Sequence, residues 1–91
     1  MLCSVKTKQF EKDVKRLQKS GRYDLKKLKE VMQLLINGQQ LPAKYHNHKL
    51  KEYENRWDCH IQGDWILFYE IDKTTNTIYF VRTGTHSELF G

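Results

Sequence analysis

Little in this chain points to a covalent or metal framework. It has two cysteines, Cys3 and Cys59, and no Cys-x-x-Cys pair. A disulfide scaffold is therefore not indicated, and two reduced, packed thiols in a cytoplasmic chain are expected. Proline occurs once, at Pro42, and glycine five times, too sparsely for a fibrous repeat or a flexible linker. No apolar run approaches the ~20 residues that span a membrane. Residues 1–6 hold no apolar stretch of the secretory kind, so neither membrane nor export is expected. No internal repeat or low-complexity segment divides the chain, and residues 1–91 read as one domain with a small core. Acidic residues are scarce early on: residues 1–51 carry 13 Lys and Arg against 4 Asp and Glu, and residues 52–91 carry 3 against 7. A basic half suits a polyanion such as RNA or an acidic protein partner, and it also suits a plain solvated helix surface.

What the chain does have is clear periodicity. Residues 2–6 read as a short strand. Phe10, Val14 and Leu17 form one stripe of a helix over about residues 8–19, stopped by Ser20-Gly21. Asp24 is a plausible cap for a second helix, whose stripe is Leu25, Leu28, Val31, Met32 and Leu35, closed by Asn37-Gly38. Residues 39–55 read as a long loop. Three strands follow, at residues 56–62, 65–71 and 77–83, separated by Gly63-Asp64 and by the polar turn 72–76. The second of these is almost wholly apolar, as for a central strand covered on both faces. The fold expected is α+β: two N-terminal helices on one face of a small, twisted, mainly antiparallel sheet, in the order β-α-α-β-β-β. Period-2 alternation turns Trp57, Cys59 and Ile61 toward the helices and His60 away. The same argument turns Tyr79 and Val81 toward the helices and Arg82 away, beside Phe80.

Four histidines, His46, His48, His60 and His86, stand with Asp64 and Arg82 as the groups able to carry acid–base chemistry. Histidine gives and takes protons near neutrality, and the arginine fork suits a phosphate. One reaction class fits without a cofactor. RNA supplies its own 2′-hydroxyl nucleophile, and an enzyme adds a base, an acid and a cation for the crowded phosphorane. Trp65 and Phe90 could stack on bases. Blander readings stand beside these. Trp65 could be core, Phe90 a tail anchor, Asp64 a turn residue, and Arg82 the partner of Asp58. His46, His48 and His60 could approach a zinc ion, although the spacing matches no zinc motif.

The segments Asn47-His48-Lys49-Leu50, Cys59-His60-Ile61, Asp64-Trp65-Ile66-Leu67 and Arg82-Thr83-Gly84-Thr85-His86-Ser87-Glu88-Leu89-Phe90 resemble the YafQ branch of the RelE/ParE toxin superfamily. The resemblance spans the whole chain, and the Arg-x-Gly-Thr-His-x-x-Leu-Phe run is its most specific part. It implies a type II toxin that enters the ribosomal A site beside 16S rRNA, cleaves mRNA there without a metal, and is neutralised by a cognate antitoxin. Carried over position by position, His48, His60, Asp64 and His86 match the acid–base set, with His86 as acid, Asp64 or His60 as base, and His48 orienting the phosphate. Arg82 matches the phosphate-contacting arginine, Trp65 and Phe90 line the mRNA, and Lys49 adds a charge beside the phosphate path. The family often has Asp-His-x-Leu-x-Gly around the first histidine, where this chain has Asn47-His48-Lys49-Leu50-Lys51-Glu52. Two other readings remain: a same-fold toxin that poisons a protein such as gyrase, and an RNA-binding module without chemistry.

Overall fold

The computed structural model describes residues 1–90. Its elements are β1 (Cys3–Lys6), α1 (Lys8–Ser20), α2 (Leu25–Ile36), a 3-10 turn (Ala43–Tyr45), β2 (His48–Lys49), β3 (Arg56–Gln62), β4 (Trp65–Asp72), β5 (Thr77–Thr85) and α3 (His86–Phe90). The helix ends follow local chemistry. The Thr7 hydroxyl accepts from the Phe10 amide at the start of α1, and Gly21, left-handed at φ 68°, ends it. Asp24 caps α2 by accepting from the Lys26 amide.

The five strands lie in the order β1-β5-β4-β3-β2, with β1 parallel to β5 and the other pairs antiparallel. Phe10 and Leu17 of α1, with Leu28, Val31, Met32 and Leu35 of α2, pack on Cys59, Ile61, Leu67, Tyr69, Ile78 and Phe80 of the sheet. Burial pushes the Cys59 thiol up to about 12, with the Asp58 charge adding to the effect. Among the described residues no helix is long and apolar enough to cross a membrane.

Three expectations need correction. On β5 it is Ile78 and Phe80 that face the helices, both fully buried, while Tyr79 and Val81 are half-buried. The pairing steps from Phe68↔Arg82 to Tyr69↔Phe80, leaving Val81 as an extra residue. Such a bulge reverses the alternation, so Arg82 lies across from Phe68 on the helix-free face although the assumed register was wrong. Residues 39–55 are also more ordered than a bare loop. They contain the 3-10 turn and β2, which pairs His48↔Asp58 and Lys49↔Trp57. Finally, β5 runs on to Thr85 and the tail coils into α3. Gly91 lies outside the described residues.

Candidate active site

The sheet sorts side chains by row, because directly paired residues share a face. Across β2, β3, β4 and β5 one row of the helix-free face holds His48, Asp58, Phe68 and Arg82. The next row holds His60, Ile66 and Gly84. His60 sits at a second irregularity, where pairing steps from His60↔Ile66 to Gln62↔Trp65. Bulges of this kind often re-aim side chains beside active sites.

His86 reaches this face through a reciprocal helix cap. The Thr85 amide donates to Glu88 Oε1 at 2.9 Å, and the Glu88 amide donates to Thr85 Oγ1 at 3.3 Å. Arg16 of α1 holds Glu88 from behind, with Nε 2.8 Å from Oε2. Gly84 leaves room for that arm, since a Cβ there would lie 2.9 Å from Arg16 Nη2. The hairpin turn supplies the other support: Asp64 accepts from the His86 amide at 3.4 Å and bonds its ring Nδ1 through the same oxygen. The His86 hydrogen bond keeps the exposed Asp64 carboxyl below the ordinary carboxylate range.

The rings then form a chain. His46 and His60 centroids are 5.7 Å apart, His60 and His86 5.6 Å, His86 and Phe90 5.8 Å, and Phe90 and Phe68 5.5 Å. In each of the three expected catalytic histidines Nδ1 lies against an oxygen that can only accept. His48 Nδ1 is 3.2 Å from the His46 carbonyl, His60 Nδ1 is 3.4 Å from the Gly63 carbonyl, and His86 Nδ1 is on Asp64. An acceptor at Nδ1 requires the proton there. Nε2 of each neutral ring is thereby left unprotonated.

Arg82 is committed elsewhere than to the Asp58 of its own row. β1 ends opposite Phe80, so β5 has no strand neighbour beyond it, and α1 fills the gap with Asp13. Asp13 is fully buried. It accepts from Arg82 Nε at 2.9 Å, Arg82 Nη2 at 3.1 Å and the Thr83 amide at 3.2 Å. Burial alone would raise this carboxyl, but hydrogen bonds from Arg82, Thr83, Gln9 and Arg16 outweigh it and hold the group below its ordinary range. The Asp13 bond in turn raises Arg82.

Two RNA-binding expectations change. Trp65 is 2% exposed and its Nε1 donates to Thr83 Oγ1 at 2.8 Å, so it is a core residue beneath the site and not a stacking platform. Lys49 pairs with Trp57 and takes the opposite face from His48, away from the imidazoles. Phe90 stays 66% exposed beside His86. Asn47, where the family often has aspartate, accepts from the buried Tyr69 hydroxyl at 2.6 Å and so still ties down the loop. Burial raises that hydroxyl above its ordinary value.

Two residues outside the expected catalytic set join the site: His46, whose left-handed backbone (φ 47°) brings it to His60, and Asp58, buried at 6% exposure in the same row as His48. No local signal marks either, because Asp58 is placed by strand pairing and His46 by the fold of the loop after the 3-10 turn. Burial raises Asp58 above the ordinary carboxylate range, while His48, His60 and His86 pull it partway back. Among the described residues no three His, Cys, Asp or Glu side chains converge as a metal site, so the zinc reading of His46, His48 and His60 finds no ligand set.

Fold and site together define a small α+β protein with an acid–base surface on the helix-free face of its sheet. Residues 3–91 match the model of a family described as the bacterial toxin of type II toxin–antitoxin system, YafQ. Over 85 residues the chain is 47% identical to the mRNA interferase toxin YafQ of Escherichia coli (strain B / BL21-DE3), covering 91% of this chain and 89% of that one. The crystal structure of the E. coli DinJ-YafQ complex matches with a TM-score of 0.91 at 42% identity over 100% of both chains. A metal-bound toxin from Helicobacter pylori matches with a TM-score of 0.91 at 44% identity, over 99% of this chain and 100% of that one. The chain belongs to the YafQ family of type II bacterial toxins.

Proposed function

We propose that the chain is an mRNA interferase that cleaves mRNA in the ribosomal A site by attack of the 2′-hydroxyl on the adjacent phosphate. The observation that carries this is the shared orientation of His48, His60 and His86: each has Nδ1 on an acceptor, and all three share one face with Arg82. His60, central in the ring chain, takes the 2′-hydroxyl proton at Nε2, and His48 orients the phosphate. The oxygen attacks phosphorus, the bond to the 5′-oxygen breaks, and His86 delivers the proton from Nε2 that this leaving group needs. The products are a 2′,3′-cyclic phosphate and a 5′-hydroxyl end. Asp64 is the partner that orients His86 and offsets its charge, which leaves the base role to imidazole. Arg82 stabilises the phosphorane, and the exposed Phe90 ring stacks on a base. The side chains suffice for these steps, and none is routed through a metal.

The E. coli relative is crystallised with DinJ, and a cognate antitoxin is the corresponding partner here. The basic helices approach 16S rRNA through salt-dependent contacts, and a ribosomal partner goes with a cytoplasmic reaction. The test is primer extension on mRNA paused in purified ribosomes, with wild type, His86→Ala and a no-ribosome control. Breaks at the A-site codon that need both the ribosome and His86 support the reading. Breaks in His86→Ala equal to wild type overturn it. Intact mRNA with inhibited gyrase would move the protein to the protein-poison class.

A further inference from the structure

Asp58 has no part in the chemistry above, yet its placement is unusual. It is 6% exposed, in a row otherwise made of His48, Phe68 and Arg82 on the open face. Its Oδ1 is buried and receives no well-directed hydrogen bond. A buried carboxylate oxygen left without a donor is costly. Arg82, the guanidinium of the same row, is taken by Asp13. The remaining candidate is already in place, since His48 Nδ1 lies 3.0 Å from that oxygen.

We infer that Asp58 is a positioning residue that pairs with His48 Nδ1 and holds that imidazole with Nε2 toward the substrate. Two acceptors flank one ring nitrogen, the His46 carbonyl at 3.2 Å and Asp58 at 3.0 Å. A small ring rotation turns the Nδ1 proton from the carbonyl to the carboxylate. The carboxylate then offsets the positive charge that a protonated His48 carries beside the phosphate. The arrangement repeats on the other side of His60, where Asp64 holds His86 by Nδ1. Two carboxylate–imidazole pairs thus flank the central histidine. The Asp58 pair sits on paired strands with its carboxylate buried, whereas the Asp64 pair sits on a turn with its carboxylate exposed. A buried partner on a rigid element fixes orientation more tightly.

The rate readout rests on the nuclease reading, and the spectroscopic readout does not. Long-range proton–nitrogen correlation spectra of the 15N-labelled protein at about pH 8, above the ordinary histidine value of about 6.5, report which ring nitrogen of His48 carries the proton. The expected result is Nδ1 in wild type and a shift toward Nε2 in Asp58→Asn, whose amide can donate to the ring. Cleavage of ribosome-bound mRNA by Asp58→Asn should fall about tenfold to a hundredfold with ribosome affinity unchanged. In a His48→Ala background the same change should cost less than about twofold, because Asp58 acts through His48. A wild-type His48 protonated at Nε2 overturns the pairing without any variant. So does an equal loss in both backgrounds, which would mark a purely structural role. If wild type cuts nothing, the nuclease reading fails and the tautomer alone decides the pair.

Discussion

Replacing Asp13 by alanine should unfold this protein more readily than almost any other single change outside the apolar core. The carboxylate is fully buried and accepts five hydrogen bonds at once: two from Arg82 and one each from the Thr83 amide, Arg16 and Gln9. Alanine leaves the Arg82 guanidinium without its counter-charge and the buried Thr83 amide without an acceptor. Breaking a buried pair from one side costs about 3–5 kcal/mol, and an orphaned buried amide alone costs about 1–3 kcal/mol. The Arg82 side chain is 31% exposed, so solvent recovers part of the charge and the low end, about 3–4 kcal/mol in all, is expected. For a domain of this size each kcal/mol moves Tm by about 4–8 °C, so Asp13→Ala should melt about 15–25 °C below wild type. Circular dichroism melts and urea titration at neutral pH measure this directly.

The pH dependence carries a sign. The folded-state pKa of Asp13 lies below its ordinary value. Its contribution is therefore full above about pH 4 and is lost as acid protonates the folded carboxyl. Asp13→Asn keeps an acceptor for the Thr83 amide but has no charge to titrate. Its stability should fall less steeply in acid than wild type, with Asp64 and Glu88, both also lowered, supplying the remaining slope. A melting point for Asp13→Ala within about 5 °C of wild type would refute the reasoning.

Phe90→Ala should leave the melting point nearly unchanged, since the ring is 66% exposed, while slowing mRNA cleavage about tenfold or more through lost stacking of about 1–3 kcal/mol. Single-turnover cleavage beside a melt separates the two effects. Gly84→Ala would set a Cβ 2.9 Å from Arg16 Nη2 at a backbone φ of 155°. It should cost about 1–3 kcal/mol and loosen the Arg16–Glu88 support of His86, seen as broadened His86 resonances. A thiol reagent should modify the exposed Cys3 in the native protein and reach the buried Cys59, whose thiol is pushed up to about 12, only on unfolding. Mass spectrometry of labelled peptides before and after denaturant checks this order.

The elements that were legible in the sequence are those whose cause is local. The stripes Phe10–Leu17 and Leu25–Leu35, the Asp24 cap and the Gly21 stop each depend on residues within a turn or two, and β3 runs over the expected residues 56–62. The Thr85–Glu88 cap that starts α3 was legible in principle from its spacing, but the short helix hid behind the reading of a tail. The histidine set was legible because its members are unusual residue types in a chain that resembles a known family. The face of His60 was legible too, from the alternation of Trp57, Cys59 and Ile61 in β3, but the ring nitrogen that each histidine presents was not.

The face that Arg82 presents depends on one extra residue, Val81, in a strand pairing whose register no local pattern records. The Arg82–Asp13 bond joins residues 69 positions apart, the Trp65–Thr83 bond joins residues 18 apart, and the His48–Asp58 pair exists only because a two-residue strand adds itself to the sheet edge. Sequence determined which groups were available and where the helices began and ended, since capping and 3.6-residue periodicity act over a few bonds. Tertiary structure decided which carboxylate each cation meets and which ring nitrogen of each histidine carries the proton. Those outcomes depend on contacts between distant segments, and a shift of one residue in register reverses them.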